Sequence, residues 1–339
     1  MQPLYHLQNH RRIKGFSLIE LMVSLTIGLV IAVAAISAYL GAAGASKMSN
    51  AQSRMNEDAQ AALNVLAQQI RMAGTNPVQA NRADAFQHNP VFDPTYVGGS
   101  VTSYGTTSFS ASSGGAAYNL SAFSIRGCDG SFSSITSTSN LDSLSNCGTS
   151  TLPDSIAVSY EGDKYNTMPS GASAGDCLGQ SVPSITATFT SGTSTTATYY
   201  VVDNRFYVAN SSDGIPNLYC KGNGGSVQPL VENVEDMQFL YGTVSSAATS
   251  NTATVAGYLT AEDVITNAPT ADAPGYSKAW GKVLTVRICV VVRSESPVVS
   301  NAASAKYYNC ANPAVLTTAP DLRLRRAYST TVVLRNRRL

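Results

Sequence analysis

Chemistry in this chain has few places to reside. Its six cysteines, Cys128, Cys147, Cys177, Cys220, Cys289 and Cys310, are even in number and widely spaced. No two show the C-x-x-C spacing of a zinc ribbon or a dithiol redox site, so disulfide closure is their expected chemistry. Many pairings are open to six cysteines, and closure of the shortest loops favours Cys128–Cys147, Cys177–Cys220 and Cys289–Cys310. Histidine is scarce, with only His6, His10 and His88. Zinc sites and acid–base machinery lean on that residue, which weakens a catalytic reading. His88, between Gln87 and Asn89-Pro90, reads as a loop residue rather than a base that activates a nucleophile.

The remaining candidates are polar clusters. There is no G-x-x-x-x-G-K-[ST] loop or H-E-x-x-H pair. The run Lys221-Gly222-Asn223-Gly224-Gly225 stands between strand patterns and reads as a turn. Glu232, Glu235 and Asp236, and the pair Glu262-Asp263, offer oxygen ligands without EF-hand spacing. Solvated carboxylates are therefore expected there rather than calcium. Arg323, Arg325, Arg326, Arg335, Arg337 and Arg338 follow one another with no acid between them. They read first as a basic edge that keeps a terminal strand soluble. The competing readings are a contact for an acidic partner subunit and, more weakly, for DNA. No catalytic residue, metal or cofactor is expected, and the chain is not expected to be an enzyme.

The elements that carry these residues begin with a membrane segment. Among 339 residues only 13% are charged and the formal net charge is +1, which suits an exported protein and not a general nucleic-acid binder. Arg11, Arg12 and Lys14 precede an apolar run from Phe16 to Leu40 whose one charge is Glu20. As a helix that run spans about 37 Å, enough to cross a bilayer core of about 30 Å. The basic flank places the bulk of the chain outside. A carboxylate at Glu20 costs about 2.5 kcal/mol or more unless it is paired. Cleavage between Gly15 and Phe16 would create a partner, a new α-amino group on this chain or a neighbour. A secretory signal cut near Ala43-Gly44-Ala45 is the competing reading, and the length of the run and the acid inside it argue against it.

The string Lys14-Gly15-Phe16-Ser17-Leu18-Ile19-Glu20-Leu21-Met22 resembles the processing site of type IV prepilins and pseudopilins. The resemblance implies that a prepilin peptidase cuts after Gly15 and methylates Phe16. It implies too that Glu20 neutralises the amine of a neighbouring subunit. Two further stretches, Gln228 to Gly242 and Trp280 to Arg293, resemble the PilW family of minor pilins, as does the Arg-rich tail. Residues 76–227 show no such likeness. The J-type pseudopilins of type II secretion share the general plan and are the nearest rival family.

The implied fold is α+β and pilin-like, with a long N-terminal helix packed on a mainly antiparallel β-sheet head. Its parts are a leader over 1–15, a transmembrane half-helix over 16–40, an amphipathic half over 41–74 and a β-rich head over 75–339. Met48, Met55, Ala59, Leu63, Leu66, Ile70 and Ala73 form the stripe that should meet the sheet. Gly41 and Gly44 are candidate bends. Strands are expected at Ser155–Tyr160, Ser184–Thr190, Thr196–Val202, Phe206–Ala209, Val283–Arg293 and Ala327–Arg335. Asp203-Asn204-Arg205 reads as a hairpin connection.

By the same resemblance the partners are other minor pilins, the major pilin, the inner-membrane assembly platform and the lipid bilayer, with priming at or near the filament tip. The protein would sit in the inner membrane with a periplasmic head and leave in the extracellular pilus. The rival role is a tip adhesin that binds through the Ser/Thr/Gly-rich region 98–151.

Overall fold

The computed structural model describes residues 15–75, 109–111, 124–133, 135–136, 147–148, 153–163, 165–167, 173–191, 193–222, 225–244, 254–266, 280 and 282–335, with the backbone alone over 109–111, 185–191 and 193–199. His88 and most of 98–151 lie outside these residues. Helix α1 is Leu18–Met72. The strands are β1 (Phe109–Ala111), β2 (Ile125–Cys128), β3 (Ser155–Gly162), β4 (Ser184–Ser191), β5 (Thr193–Asn210), β6 (Pro216–Gly222), β7 (Gln228–Glu232), β8 (Val234–Val244), β9 (Val255–Leu259), β10 (Val283–Arg293), β11 (Lys306–Tyr308), β12 (Leu316–Thr318) and β13 (Arg325–Val333), with a short helix α2 at Ala261–Thr266. The chain divides into two compact units, Met1–Asn50 and Ala51–Leu339.

In the first unit α1 is exposed from Leu18 to Ala42, and it has the length and apolarity to cross a membrane, with a mean hydropathy of 2.4 over an 18-residue window. No bend forms at Gly41 or Gly44, where the helix continues. Each glycine costs only about 1 kcal/mol in a helix that contains no proline.

In the second unit the end of α1 turns one face inward. Met55, Ala59, Leu66, Ile70 and Ala73 of the expected stripe are buried, joined by Ala62 and Ala67. Each fully buried Leu, Ile or Met contributes roughly 1.5–3 kcal/mol. Gly74 adopts φ 72°, the left-handed conformation that ends a helix cheaply when the residue is glycine. Its N–H then donates to Ser159 O of β3 at 3.0 Å, and Glu161 N donates to Thr75 O at 2.9 Å.

Two antiparallel sheets cover this helix. The seven-stranded sheet has the path β1-β4-β5-β3-β2, with β6 and β7 attached beyond β5. Strand β5 is its spine: Tyr200 pairs with Ser184 of β4 and Gly162 of β3, and Asn204 pairs with Gly222 of β6 and Val158 of β3. So β4 and β6 lie end to end along one side of β5. This overturns the expected hairpin at Asp203-Asn204-Arg205, which instead lies mid-strand. The three polar side chains are accommodated mid-strand because each has a partner. Asp203 and Arg205 form an ion pair at 2.8 Å with both side chains 4% exposed. On the other face, the Asn204 amide donates to Gln69 Oε1 of α1 at 2.8 Å and to the Tyr160 hydroxyl at 3.3 Å.

The second sheet has the order β13-β10-β8-β9. Val286, Ile288, Val290 and Val292 of β10 are buried, while Arg287 on the opposite face is exposed. The chain passes from β7 into β8 through Asn233, at φ 61°, a conformation that Asn tolerates better than most residues. Helix α1, both sheets and Trp280 share one core. Trp280 meets the Tyr241 ring edge-on at 4.8 Å between centroids.

Candidate assembly site

Gly15 and Phe16 precede the helix and are exposed, Phe16 at 87%. Ser17 and Glu20 then build a reciprocal cap. Ser17 N and Ser17 Oγ donate to Glu20 Oε2 at 2.9 and 3.1 Å, and Glu20 N donates to Ser17 Oγ at 3.2 Å. This is the capping box, in which a Ser at the N-cap and a Glu three residues on satisfy each other's backbone donors. The signature S-x-x-E stands in the sequence, but an argument based on charge alone passes over it. The arrangement does two things. It holds the carboxylate at the positive end of the helix, where an anion is favoured, and it places both of its own bonds on Oε2, leaving Oε1 for another donor.

The arginine tail is differently placed from expectation. Arg325 is not part of a solvated basic edge: its side chain is 1% exposed and clamps two acids. Its Nε and Nη2 reach Glu235 of β8, the latter at 2.9 Å, and its Nη1 reaches Asp321 at 2.6 Å. Arg323 pairs with Asp321 at 3.0 Å. The acids were missed because Asp321 lies just ahead of the run and Glu235 lies 90 residues away. Arg326 is exposed with its guanidinium 5.5 Å from the Tyr328 ring, and Arg335 is exposed; Arg337 and Arg338 lie outside the described residues.

Two of the clustered acids have structural duties, and Glu232 is exposed. Glu235 serves Arg325, and Asp236 Oδ1 accepts from Met237 N and Gln238 Nε2. Glu262 and Asp263 are exposed in the first turn of α2. Among the described residues no group of three His, Cys, Asp or Glu side chains is arranged to hold a metal ion. The six cysteines are joined as Cys128–Cys147, Cys177–Cys220 and Cys289–Cys310. The second bridge ties a turn to β6 beside the gap between β4 and β6, where Cys177 N also donates to Asn204 Oδ1 at 2.9 Å.

Comparison with known proteins bears on both ends of the chain. The model of a prokaryotic N-terminal methylation motif matches residues 10–36. The model described as type IV pilus-assembly protein W, PilW, matches residues 205–336, which take in the end of β5, the second sheet and the Arg325 clamp. No curated protein matches the chain. A solved type IV-like pilin from Thermus thermophilus aligns over 56% of this chain and 83% of its own, at 14% identity and a TM-score of 0.26, too loose a superposition to carry any argument. A methylation motif at one end and a PilW segment at the other make the chain similar to type IV pilus-assembly protein W over residues 205–336.

Proposed function

We propose that the protein is a minor pilin, held in the inner membrane with its head in the periplasm, that primes assembly of a type IV pilus at or near the tip. A prepilin peptidase removes residues 1–15 after Gly15 and methylates Phe16. The observation that carries this reading is Phe16 and Glu20 at the head of an exposed apolar helix with no other charge before Lys47. In a low-dielectric surround the Glu20 carboxylate needs a cation, and the amine of a neighbouring subunit supplies it. Such a head-to-tail contact is heterologous and does not close, so it propagates as a helical filament. The partners are other minor pilins, the major pilin and the assembly platform. A head that occupies most of 339 residues suits a tip subunit better than a repeating shaft unit.

Epitope labelling of the full chain on sheared filaments tests the placement. Label at filament ends, with pili lost when the gene is deleted and reduced by Glu20→Ala, is expected. Label along the shaft at major-subunit abundance, or normal piliation without the protein, contradicts it.

A further inference from the structure

Sheet edges in the second unit are defended unequally. Strand β7 is five residues long, carries Pro229 and exposed Glu232, and slips register against β6 between Leu218 and Tyr219. Strand β9 is also five residues long, slips register against β8, and leads through Thr260 into α2. Short length, proline, charge and irregular pairing are the devices that keep an edge from accepting another strand. Strand β13 closes the four-stranded sheet on the side opposite β9. From Ala327 to Val333 it has none of those devices. It pairs with β10 from Arg325↔Arg293 to Val333↔Thr285 without a slip.

Leu334 N donates to Leu284 O and Ser294 N to Leu324 O, each at 2.8 Å. Even-numbered residues therefore bond to β10. Antiparallel alternation then turns the N–H and C=O groups of Ala327, Ser329, Thr331 and Val333 to the open side. Among the described residues no strand pairs there. The run from Ala327 to Leu334 is uncharged, lacks proline and glycine, and is rich in β-branched residues, a composition that pairs readily with another strand. Ser329, Thr331 and Val333 are exposed, Val333 at 53%. Exposed Arg326 and Arg335 bracket this run, about 30 Å apart at the rise of a strand. Tyr328 donates its hydroxyl to Asn56 Oδ1 of α1 at 2.6 Å, so the open edge adjoins the helix through which the proposed subunit contacts run.

We infer that the β13 edge receives an extended strand from a neighbouring subunit's head, one with an acidic residue at each end of an uncharged, β-branched middle. The partner's identity rests on the minor-pilin reading; its chemistry rests on the edge. Backbone pairing along Ala327 to Val333 supplies the hold, and the two arginines set the register of the incoming strand. A second copy of β13 does not fit, because either alignment, parallel or antiparallel, sets arginine against arginine. A long uncharged edge left open invites aggregation, and a strand supplied on assembly removes it.

The test uses the full chain in detergent micelles and two synthetic peptides of alternating Thr and Val, one with Glu at both ends and one with Lys. Fluorescence anisotropy should show the Glu-ended peptide bound and the Lys-ended one bound more weakly. Isotope-labelled carbonyls of the bound peptide should absorb as β-sheet. Thr331→Pro removes an N–H on the open side alone and should abolish binding while thermal melting stays as in wild type. Thr330→Pro breaks a bond to β10 and should lower the melting temperature. Arg326→Glu combined with Arg335→Glu should reverse the peptide preference. In cells Thr331→Pro should reach the membrane normally and be depleted from sheared filaments. No binding by wild type, equal binding by Thr331→Pro, equal affinity for both peptides, a wild-type dimer that Thr331→Pro dissolves, or undiminished recovery of Thr331→Pro in filaments would each overturn this pairing. A wild type that binds the Glu-ended peptide but never enters filaments would fault the minor-pilin reading alone.

Discussion

Removing the Arg325 guanidinium should destabilise the head more than any other change in the basic tail. The side chain is 1% exposed and holds Glu235 and Asp321, which are 28% and 30% exposed. Breaking a fully buried pair from one side costs about 3–5 kcal/mol. Here the stranded acids regain some water, so Arg325→Ala should cost about 2–3 kcal/mol. Arg325→Lys keeps the charge but loses the fork, so roughly half that loss is expected. Against a total of about 5–15 kcal/mol the change is large.

The pH dependence follows from Asp321, which the Arg325 guanidinium holds well below the usual carboxylate range. A depressed acid lends stability above its unfolded value of about 3.9 and withdraws it as pH falls. Denaturant titration of the full chain in micelles should therefore show wild type and Arg325→Ala furthest apart near pH 7 and converging toward pH 2. A difference under about 0.5 kcal/mol at pH 7, the range of ordinary surface changes, would refute the clamp, and so would a gap that is the same at all pH values.

Three further outcomes are expected. Gly127→Ala drives a methyl group into the buried Tyr241 hydroxyl and should cost about 1–3 kcal/mol in denaturant melts, as overpacking does; a neutral result would mean the contact is loose. Replacing Cys177 and Cys220, 43 residues apart, by serine should cost about 4 kcal/mol on the loop-entropy scale, and unchanged stability would show the bridge to be idle. Ser17→Ala removes the cap on Glu20 at about 0.5–2 kcal/mol of helix-end stability and should lower the protein's recovery in sheared filaments, with Ser17→Thr restoring it; equal recovery from all three would separate the cap from assembly.

Legibility followed physical period and proximity. Strand β10 is readable to the residue because an apolar side chain stands at every second position from Leu284 to Val292. The inward face of α1 was readable except for Ala62 and Ala67, small residues that carry little signal until a sheet is seen against them. Strand β5 was cut in two because Asp203-Asn204-Arg205 is locally indistinguishable from a turn. Its partners Ser159, Tyr160 and Gln69 are far away in sequence. Asp154 follows Pro153 and resembles any loop aspartate, while the donors that give it meaning come from Gly130 and Phe239. The site residues Gly15, Phe16 and Glu20 stand out because their chemistry is local: one acid in an apolar run, three residues from a serine that caps it.

The central claim is that this chain becomes a filament subunit through processing at Gly15. Intact mass of the membrane-extracted protein, with and without a co-expressed prepilin peptidase, tests it most directly. Loss of residues 1–15 with one methyl group gained on Phe16, only when the peptidase is present, is the expected result. An uncut chain, or a cut near Ala45 that ignores the peptidase, would contradict the account and remove the assembly role of Glu20 with it.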